Sequence, residues 1–268
     1  MVVEWNLNDP EEGKVFASVG KPVYSLLDIP GTKEILIGTA TGHVHLVNSS
    51  QKEEERNVEM HRGGVFDMKL SNNLLITAGN DGAIGIWKIP GLESVRFLRD
   101  AFKSARCLSI HPSGDFFAAG FSDKKIRIYS TGNFELIKTI DAHLNSVFTL
   151  TYSVDGNTLV SGGRDVLLRS WDVKNDYEMV KSIPAHTLHI NSLSFNPSGK
   201  LLASASMDHT VKIWNASDLE LHKVIDRAKF PSHRVSVNRV IWMTDNILLS
   251  AGDDRLIMGW RVEGDGKW

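Results

Sequence analysis

The sequence predicts an all-β fold, a propeller whose blades are sheets of four short strands, and three observations carry the prediction. A large apolar residue, most often tryptophan, recurs at positions 5, 47, 87, 129, 171, 214 and 260, in steps of 40 to 46 residues. A period of that length is the mark of a propeller blade. Within each period apolar and polar residues alternate and then break, as in Val147 to Tyr152, Asn157 to Ser161 and Val166 to Trp171, which is the pattern of a half-buried strand. The breaks carry turn residues: Pro112-Ser113-Gly114, Val154-Asp155-Gly156 and Pro197-Ser198-Gly199 stand at one place in successive periods, between a first and a second strand. There proline presets φ and glycine permits positive φ.

Composition is compatible with this reading. The 268 residues are 42% hydrophobic and 23% charged, the balance of a soluble globular chain, and one propeller can use that length. A net charge of −2 gives no overall attraction for phosphate backbones, so no nucleic-acid partner is expected. Cys107 is the single cysteine and cannot form an internal disulfide, and the start from Met1 to Leu7 lacks the basic flank and apolar run of a signal peptide. Both point to a reducing, cytoplasmic setting. No stretch approaches the roughly 18 apolar residues needed to span a bilayer, so no membrane partner is expected, and the sequons at Asn48 and Asn215 read as accidental.

In chain order, Val2 to Leu7, which contains Trp5, matches a third strand and Lys14 to Val19 a fourth. Full units of four strands are expected over residues 21–60, 61–101, 102–141, 142–184 and 185–226, and a last unit over 227–263 lacks its outer strand. The polar stretches Ser49 to Arg56 and Ile89 to Glu93 read as links from a third strand to a fourth, and the run Lys52 to Arg56 as solvated charge. The chain is thus expected to be a single propeller domain on a seven-bladed plan, with residues 1–20 as a half blade. The alternative is a six-bladed ring in which Lys14 to Val19 closes the last unit and Val2 to Leu7 is an extra edge strand. Because an unpaired edge templates pairing with another chain, the intact protein is expected to begin upstream by about 40 residues, one repeat length.

The third strands end in a dipeptide that is intact at Trp171-Asp172 and altered at Trp87-Lys88, Tyr129-Ser130, Trp214-Asn215 and Trp260-Arg261. With this spacing the units resemble WD repeats, those of the WD40 family, over residues 1–263. An aspartate lies six residues before the tryptophan and a serine or threonine four before the aspartate. With a histidine at the start of the unit, four sets are complete: His61, Thr77, Asp81, Trp87; His143, Ser161, Asp165, Trp171; His186, Ser204, Asp208, Trp214; and His233, Ser250, Asp254, Trp260. Serine, histidine and aspartate together invite comparison with a hydrolase triad, but an enzyme needs one site and this chain repeats the set.

The resemblance implies instead a structural relay, in which a buried histidine and aspartate supply each other's hydrogen-bond partners. Histidines so engaged and a blade apart leave no metal-ligand set. Two units depart from the pattern: one has Ile37, Thr41 and Val47 in the relay places, and the other keeps Asp123 but has Ala119 and Tyr129. Both are expected to rely on apolar packing alone.

In the WD-repeat family the residue five after the histidine and the residue before the aspartate commonly face partners. By resemblance the first place gives Tyr24, Phe66, Arg106, Phe148, Asn191 and Asn238, and the second gives Ala40, Asn80, Ser122, Arg164, Met207 and Asp253. Aromatic residues and arginine dominate interface energetics; the alternative is that Tyr24, Phe66 and Phe148 line the central channel as packing. The expected function is a non-enzymatic scaffold presenting a propeller face to protein or peptide partners, with no catalytic residue, cofactor or metal. The alternative is a small-molecule-binding or enzymatic propeller that uses the channel mouth. Against it stands the lack of a single cluster of acid, base or metal ligands outside the repeated sets. Lys124, Lys125, Arg127, Arg234 and Arg239 read as solvated surface, and Cys107, on the apolar run Ala105 to Ile110, as a small buried hydrophobe.

Overall fold

The computed structural model describes residues 1–6, 9–48, 50 and 53–262. Its regular elements are strands: β1 (Val2–Asn6), β2 (Asp9–Ala17), β3 (Val23–Asp28), β4 (Glu34–Thr39), β5 (His43–Asn48), β6 (Glu53–Glu59), β7 (Val65–Ser71), β8 (Leu74–Gly79), β9 (Ile84–Lys88) and β10 (Glu93–Leu98). There follow β11 (Ala105–Ile110), β12 (Phe116–Phe121), β13 (Lys125–Ser130), β14 (Leu136–Asp141), β15 (Val147–Tyr152), β16 (Thr158–Gly163), β17 (Leu167–Asp172) and β18 (Glu178–Pro184). The last are β19 (Ile190–Phe195), β20 (Leu201–Ser206), β21 (Val211–Asn215), β22 (Leu221–Ile225), β23 (Val237–Thr244), β24 (Ile247–Gly252) and β25 (Ile257–Arg261).

Six sheets have the blade form, five of four strands in chain order and a sixth, β23-β24-β25, of three. That number is the one the six-bladed alternative expects. β1 and β2 pair with each other in a separate two-stranded sheet, the pairing expected of a third strand with a fourth. Leu7, Ser49, Lys52 and residue 263 lie outside the described residues. Two boundaries differ from expectation. The strand expected from Lys14 to Val19 spans Asp9–Ala17, and Glu53 to Arg56, expected as a loop, pair with Asn48 to Leu46 as the first half of β6. An outer strand can carry such charge because its free edge faces water, where charge also blocks unwanted pairing.

The chain divides into two compact units, Met1–Leu108 and Ser109–Trp268. In the first, one core joins Leu36, Val44 and Leu46 to Val65, Met68, Leu75 and Trp87, and a smaller one sets Phe16 against Ile37 and Val47. In the second, Val160 and Leu168 meet Ile190, Leu202 and Trp214, while Val211 and Ile213 meet Val240, Leu248 and Trp260. Each core therefore lies between consecutive sheets. Second strands, covered on both faces, are buried almost end to end, as in β8, β12, β16 and β20, which explains their runs of apolar and small residues.

A first strand has a sheet neighbour on one side only, so backbone groups on its other edge need partners elsewhere. A buried polar side chain on an adjoining sheet's first strand supplies them. In the first unit Ser25 Oγ donates to Val65 O at 2.8 Å and Asp67 Oδ2 accepts from Leu108 N at 2.8 Å. In the second, Thr149 Oγ1 accepts from Leu193 N at 3.0 Å and Ser192 Oγ from Val240 N at 3.3 Å.

Fourth strands share a spacing that escaped the sequence analysis: a glutamate, a basic residue three later and an aliphatic residue five later. The sets are Glu53, Arg56, Val58; Glu93, Arg96, Leu98; Glu135, Lys138, Ile140; Glu178, Lys181, Ile183; and Glu220, Lys223, Ile225. Register explains the last position, since the aliphatic residue faces a third-strand residue in Val44↔Val58, Ile84↔Leu98, Ile126↔Ile140, Leu168↔Ile183 and Val211↔Ile225. The middle position reaches onward, for Lys138 Nζ bonds Asp176 and Lys181 Nζ bonds the Asp218 carbonyl.

The two units without a relay are not held by apolar packing alone. Asp123 Oδ2 accepts from Arg127 Nη2 at 2.7 Å, and the Arg127 guanidinium lies 4.6 Å from the Phe121 ring centre. Arg127 is only 7% exposed, so it is no surface charge: Asp123, in the turn just before β13, reaches its guanidinium, and the carboxylate holds it in. In the unit from residue 21, Thr39 Oγ1 donates to His43 O at 3.0 Å and lies 3.2 Å from Thr41 Oγ1. Lys124, Arg234 and Arg239 are exposed, and Lys125 is half-buried.

Gly42 turns between β4 and β5 at φ +91°, and a Cβ there would stand 1.9 Å from the His61 carbonyl oxygen. Gly31 has φ +79° with open space around it. Gly31→Ala is therefore expected to cost the left-handed strain alone, about 1 kcal/mol, and Gly42→Ala about 2–4 kcal/mol once the backbone clash is added. Urea titration of the two variants compares them.

Candidate functional site

All four predicted relays form. His61 Nε2 lies 2.7 Å from Thr77 Oγ1, which accepts from Trp87 Nε1 at 3.0 Å, while His61 Nδ1 lies 2.9 Å from Asp81 Oδ1. His143 repeats this with Ser161 at 2.8 Å, Trp171 to Ser161 at 2.9 Å, and Asp165 at 2.9 Å. His186 reaches Ser204 at 2.8 Å and Asp208 at 2.9 Å, with Trp214 donating to Ser204 at 2.8 Å. His233 reaches Ser250 at 2.8 Å and Asp254 at 3.0 Å, with Trp260 donating to Ser250 at 2.9 Å.

The proton order follows from valence. An ionised aspartate only accepts, so each histidine carries hydrogen on Nδ1. The hydroxyl oxygen accepts from the indole and turns its own hydrogen to a neutral Nε2. Burial lowers the pKa of His186, against the pull of Asp208, which keeps that ring neutral at pH 7. For Asp81 burial works upward, but hydrogen bonds from His61, Arg62 N and Ala83 N and the attraction of His61 outweigh it and bring the pKa down to about 2. Asp165, Asp208 and Asp254 are lowered through the same contest between burial and bonds from their histidines.

Each aspartate also takes the amide that follows its histidine, as in Leu144 N to Asp165 Oδ2 at 2.8 Å and Thr187 N to Asp208 Oδ2 at 3.0 Å. The relay thus ties the loop entering a blade to the turn between its second and third strands. The relay hydroxyls are buried, out of reach of a substrate.

In the four relay blades the rim residues fall on or beside the loop ends the relays hold, while Tyr24 and Arg106 belong to the two blades without a relay. In the first unit Tyr24 on β3 stacks on Phe66 on β7, ring centres 5.5 Å apart and planes 14° apart. The guanidinium of Arg106 on β11 lies 4.0 Å from the Phe66 ring centre. Tyr24 is 47% exposed, and Phe66 and Arg106 are half-buried; burial lowers the Arg106 pKa without discharging it. Asn80, at the second rim place, holds Ser104 Oγ through its carbonyl and side-chain oxygens, both at 3.0 Å.

In the second unit Phe148 meets His189 edge-on at 5.7 Å. Burial and then nearby Arg164 lower the His189 pKa. Arg164 and Met207 are exposed. Asn191 is already engaged, donating to Ser236 Oγ at 3.1 Å and Val237 O at 3.0 Å, and Asn238 donates to Asp253 Oδ1 at 2.6 Å. Asn191 thus serves the joint between β19 and β23, while Asn238 and Asp253 tie β23 to the turn after β24. Sequence reasoning missed Leu144, Leu188 and Val235, exposed apolar residues one or two places after a relay histidine; an apolar residue so close behind the histidine is the signal that could have found them.

At the other end of the second unit's strands, two clefts of about 720 and 690 Å³ lie beside the first turns, with Ser198, Lys200, Leu201 and His222 common to both. Among the described residues no three His, Cys, Asp or Glu side chains converge as metal ligands.

Sheets of four strands in chain order, with repeated relays, define a chain of propeller blades. A family model described as "WD domain, G-beta repeat" matches residues 93–130, 134–172 and 177–215, each match running from a fourth strand through the third strand of the following sheet. The chain carries WD40 repeats at these three positions and has relatives named as WD repeat proteins, and WD40 propellers generally serve as non-enzymatic protein-interaction scaffolds. It is 30% identical over 140 residues to WD repeat-containing protein 90 of Xenopus tropicalis, a match covering 48% of this chain and 8% of that protein. It is 28% identical over 107 residues to Transducin beta-like protein 3 of Bos taurus, covering 39% of this chain and 13% of the other. Against Cilia- and flagella-associated protein 52 of Bos taurus it is 26% identical over 173 residues, 61% of this chain and 27% of that protein. The matches therefore span about a quarter or less of these relatives' length.

Ser161→Ala removes the hydroxyl that serves both His143 and Trp171, leaving two buried groups unpaired; a loss of about 1–3 kcal/mol is expected in urea unfolding. The stability contributed by Asp81 is complete above the ordinary carboxylate pKa of 3.8 and lost as pH falls from there through about 2, because the depressed group must take up a proton to unfold. Asp81→Asn is expected to be less stable at pH 7 and to show a shallower fall across that window, measured by thermal melts against pH.

Proposed function

We propose that the chain is a non-enzymatic interaction module of the cytosol that takes protein or peptide partners at the starts of its blades' first strands. The observation that carries this reading is the Tyr24, Phe66 and Arg106 stack: two aromatic rings and a cation, drawn from three first strands and partly open to solvent. Rigid aromatic and arginine anchors of this kind supply most of the energy at protein interfaces. In the second unit Phe148, Arg164 and Met207, with exposed Leu144 and Leu188, offer a patch of like composition. The buried, repeated Ser-His-Asp sets support the non-enzymatic part of the reading, since their geometry is spent on holding each blade.

Phe66→Ala and Phe148→Ala are expected to weaken binding of a partner retained by the wild-type protein at least about tenfold, roughly 1.4 kcal/mol, with little change in Tm. Calorimetric titration and thermal melts read the two quantities. A large fall in Tm with unchanged affinity would assign these rings to packing.

A further inference from the structure

Phe102 stands in the loop that leads into β11, and its side chain is 107% exposed, the highest value of any large apolar residue among those described. Its backbone, by contrast, is held on both sides. A Cβ added at Gly82, which turns at φ +79°, would stand 2.7 Å from the Ala101 carbonyl oxygen and 3.0 Å from that of Lys103, so the loop lies directly on the turn between β8 and β9. Ser104 Oγ, 3.0 Å from both the carbonyl and the side-chain oxygen of Asn80, ties down the loop's end. A ring left wholly in water contributes nothing to the core. Carried on backbone so fixed, it has the form of an interface anchor whose position is set before a partner arrives.

We propose that Phe102 is the apolar anchor of a site for an acidic peptide, with Arg62, Lys103 and Arg106 as its cations; the proposal rests on the protein-binding reading above and names the chemistry of the partner. In the first unit the ends where first strands begin and second strands end carry Lys21, Arg62, Arg99, Lys103 and Arg106. Against these stand Glu59, Asp81 and Asp100, and Asp81 is spent on His61 and on the Arg62 and Ala83 amides. The whole chain carries a charge of −2, so the excess of cations is local to this end of the unit. Arg99 lies over Phe97 on the outer strand, 5.4 Å from its ring centre, and is left out of the set. Arg106 follows Phe102 by four places, and its guanidinium lies 4.0 Å from the Phe66 ring centre. A guanidinium laid on a ring engages it through its face and keeps its N–H donors in the plane, where a carboxylate meets them as a fork. The arrangement suits a peptide better than a nucleic acid. Bases stack on a row of open rings, whereas Tyr24 and Phe66 are stacked on each other at 5.5 Å.

The probes are two fluorescein-labelled pools of short peptides with a central leucine, one rich in aspartate and glutamate and the other in lysine, together with a labelled single-stranded oligonucleotide. In anisotropy titrations with the 268-residue protein the acidic pool is expected to bind at least about tenfold tighter than the basic pool and the oligonucleotide, and to weaken as salt rises. Phe102→Ala is expected to weaken the acidic pool at least about tenfold, and Arg106→Lys, which keeps the charge and loses the fork, to weaken it as well. Because the Phe102 side chain is already in solvent, a thermal melt of Phe102→Ala separates loss of binding from loss of fold. No binding of the acidic pool, equal binding of the two pools, tighter binding of the oligonucleotide, or an affinity indifferent to Phe102→Ala would each overturn the proposal. If Phe66→Ala still weakens a protein partner retained by the wild type, the proposal falls alone. If neither Phe66→Ala nor Phe102→Ala changes that partner's affinity, the protein-binding reading of this end falls with it.

Discussion

The inner edge of a blade is the constraint on which the rest of this structure depends. A first strand pairs with a second, and its other edge would bury amides and carbonyls with nothing to bond. Ser25, Asp67, Thr149 and Ser192 meet that need, each bonding the backbone of the first strand in an adjoining sheet. A buried backbone group left unpaired costs about as much as the hydrogen bond it lacks, so the distance between adjoining inner strands is held within narrow limits. Tryptophans such as Trp87 and Trp214 then fill the space between sheet faces.

The relays act at a different level. They set the height and angle of the loops once the sheets are in place, because one aspartate grips both the entering loop and the turn beside it. Rim side chains of the relay blades therefore emerge from anchored backbone, whose ordering entropy is already met by the fold.

Much of this was legible in the residue order. Relays stood out because histidine, hydroxyl, aspartate and tryptophan are chemically distinctive and keep their spacing across the repeats. The inner-edge partners did not: serine, threonine and aspartate share a place and no common look, and only the strand edge they face reveals the role. Arg127 was misread because it follows Lys124 and Lys125 in a run of charge, although Asp123 lay four residues away in the turn before the strand. Nothing in the sequence told that Val237 O would engage Asn191 or that Asp253 would engage Asn238. The fourth-strand pattern lay open in the text, hidden by the variable residues between its members.

The joints described above are alike wherever they occur within a unit: a buried polar atom at the inner edge, and at the outer edge a lysine laid across a following turn, as from Lys138 to Asp176 and Lys181 to the Asp218 carbonyl. Serine, threonine or aspartate serves at the inner edge, so the joint asks for a polar side chain at that place and not for one residue type. A blade can thus be duplicated or removed whole without redesigning those that remain. The repeat carries its own connecting chemistry, placed at the same edges in each sheet where it is seen.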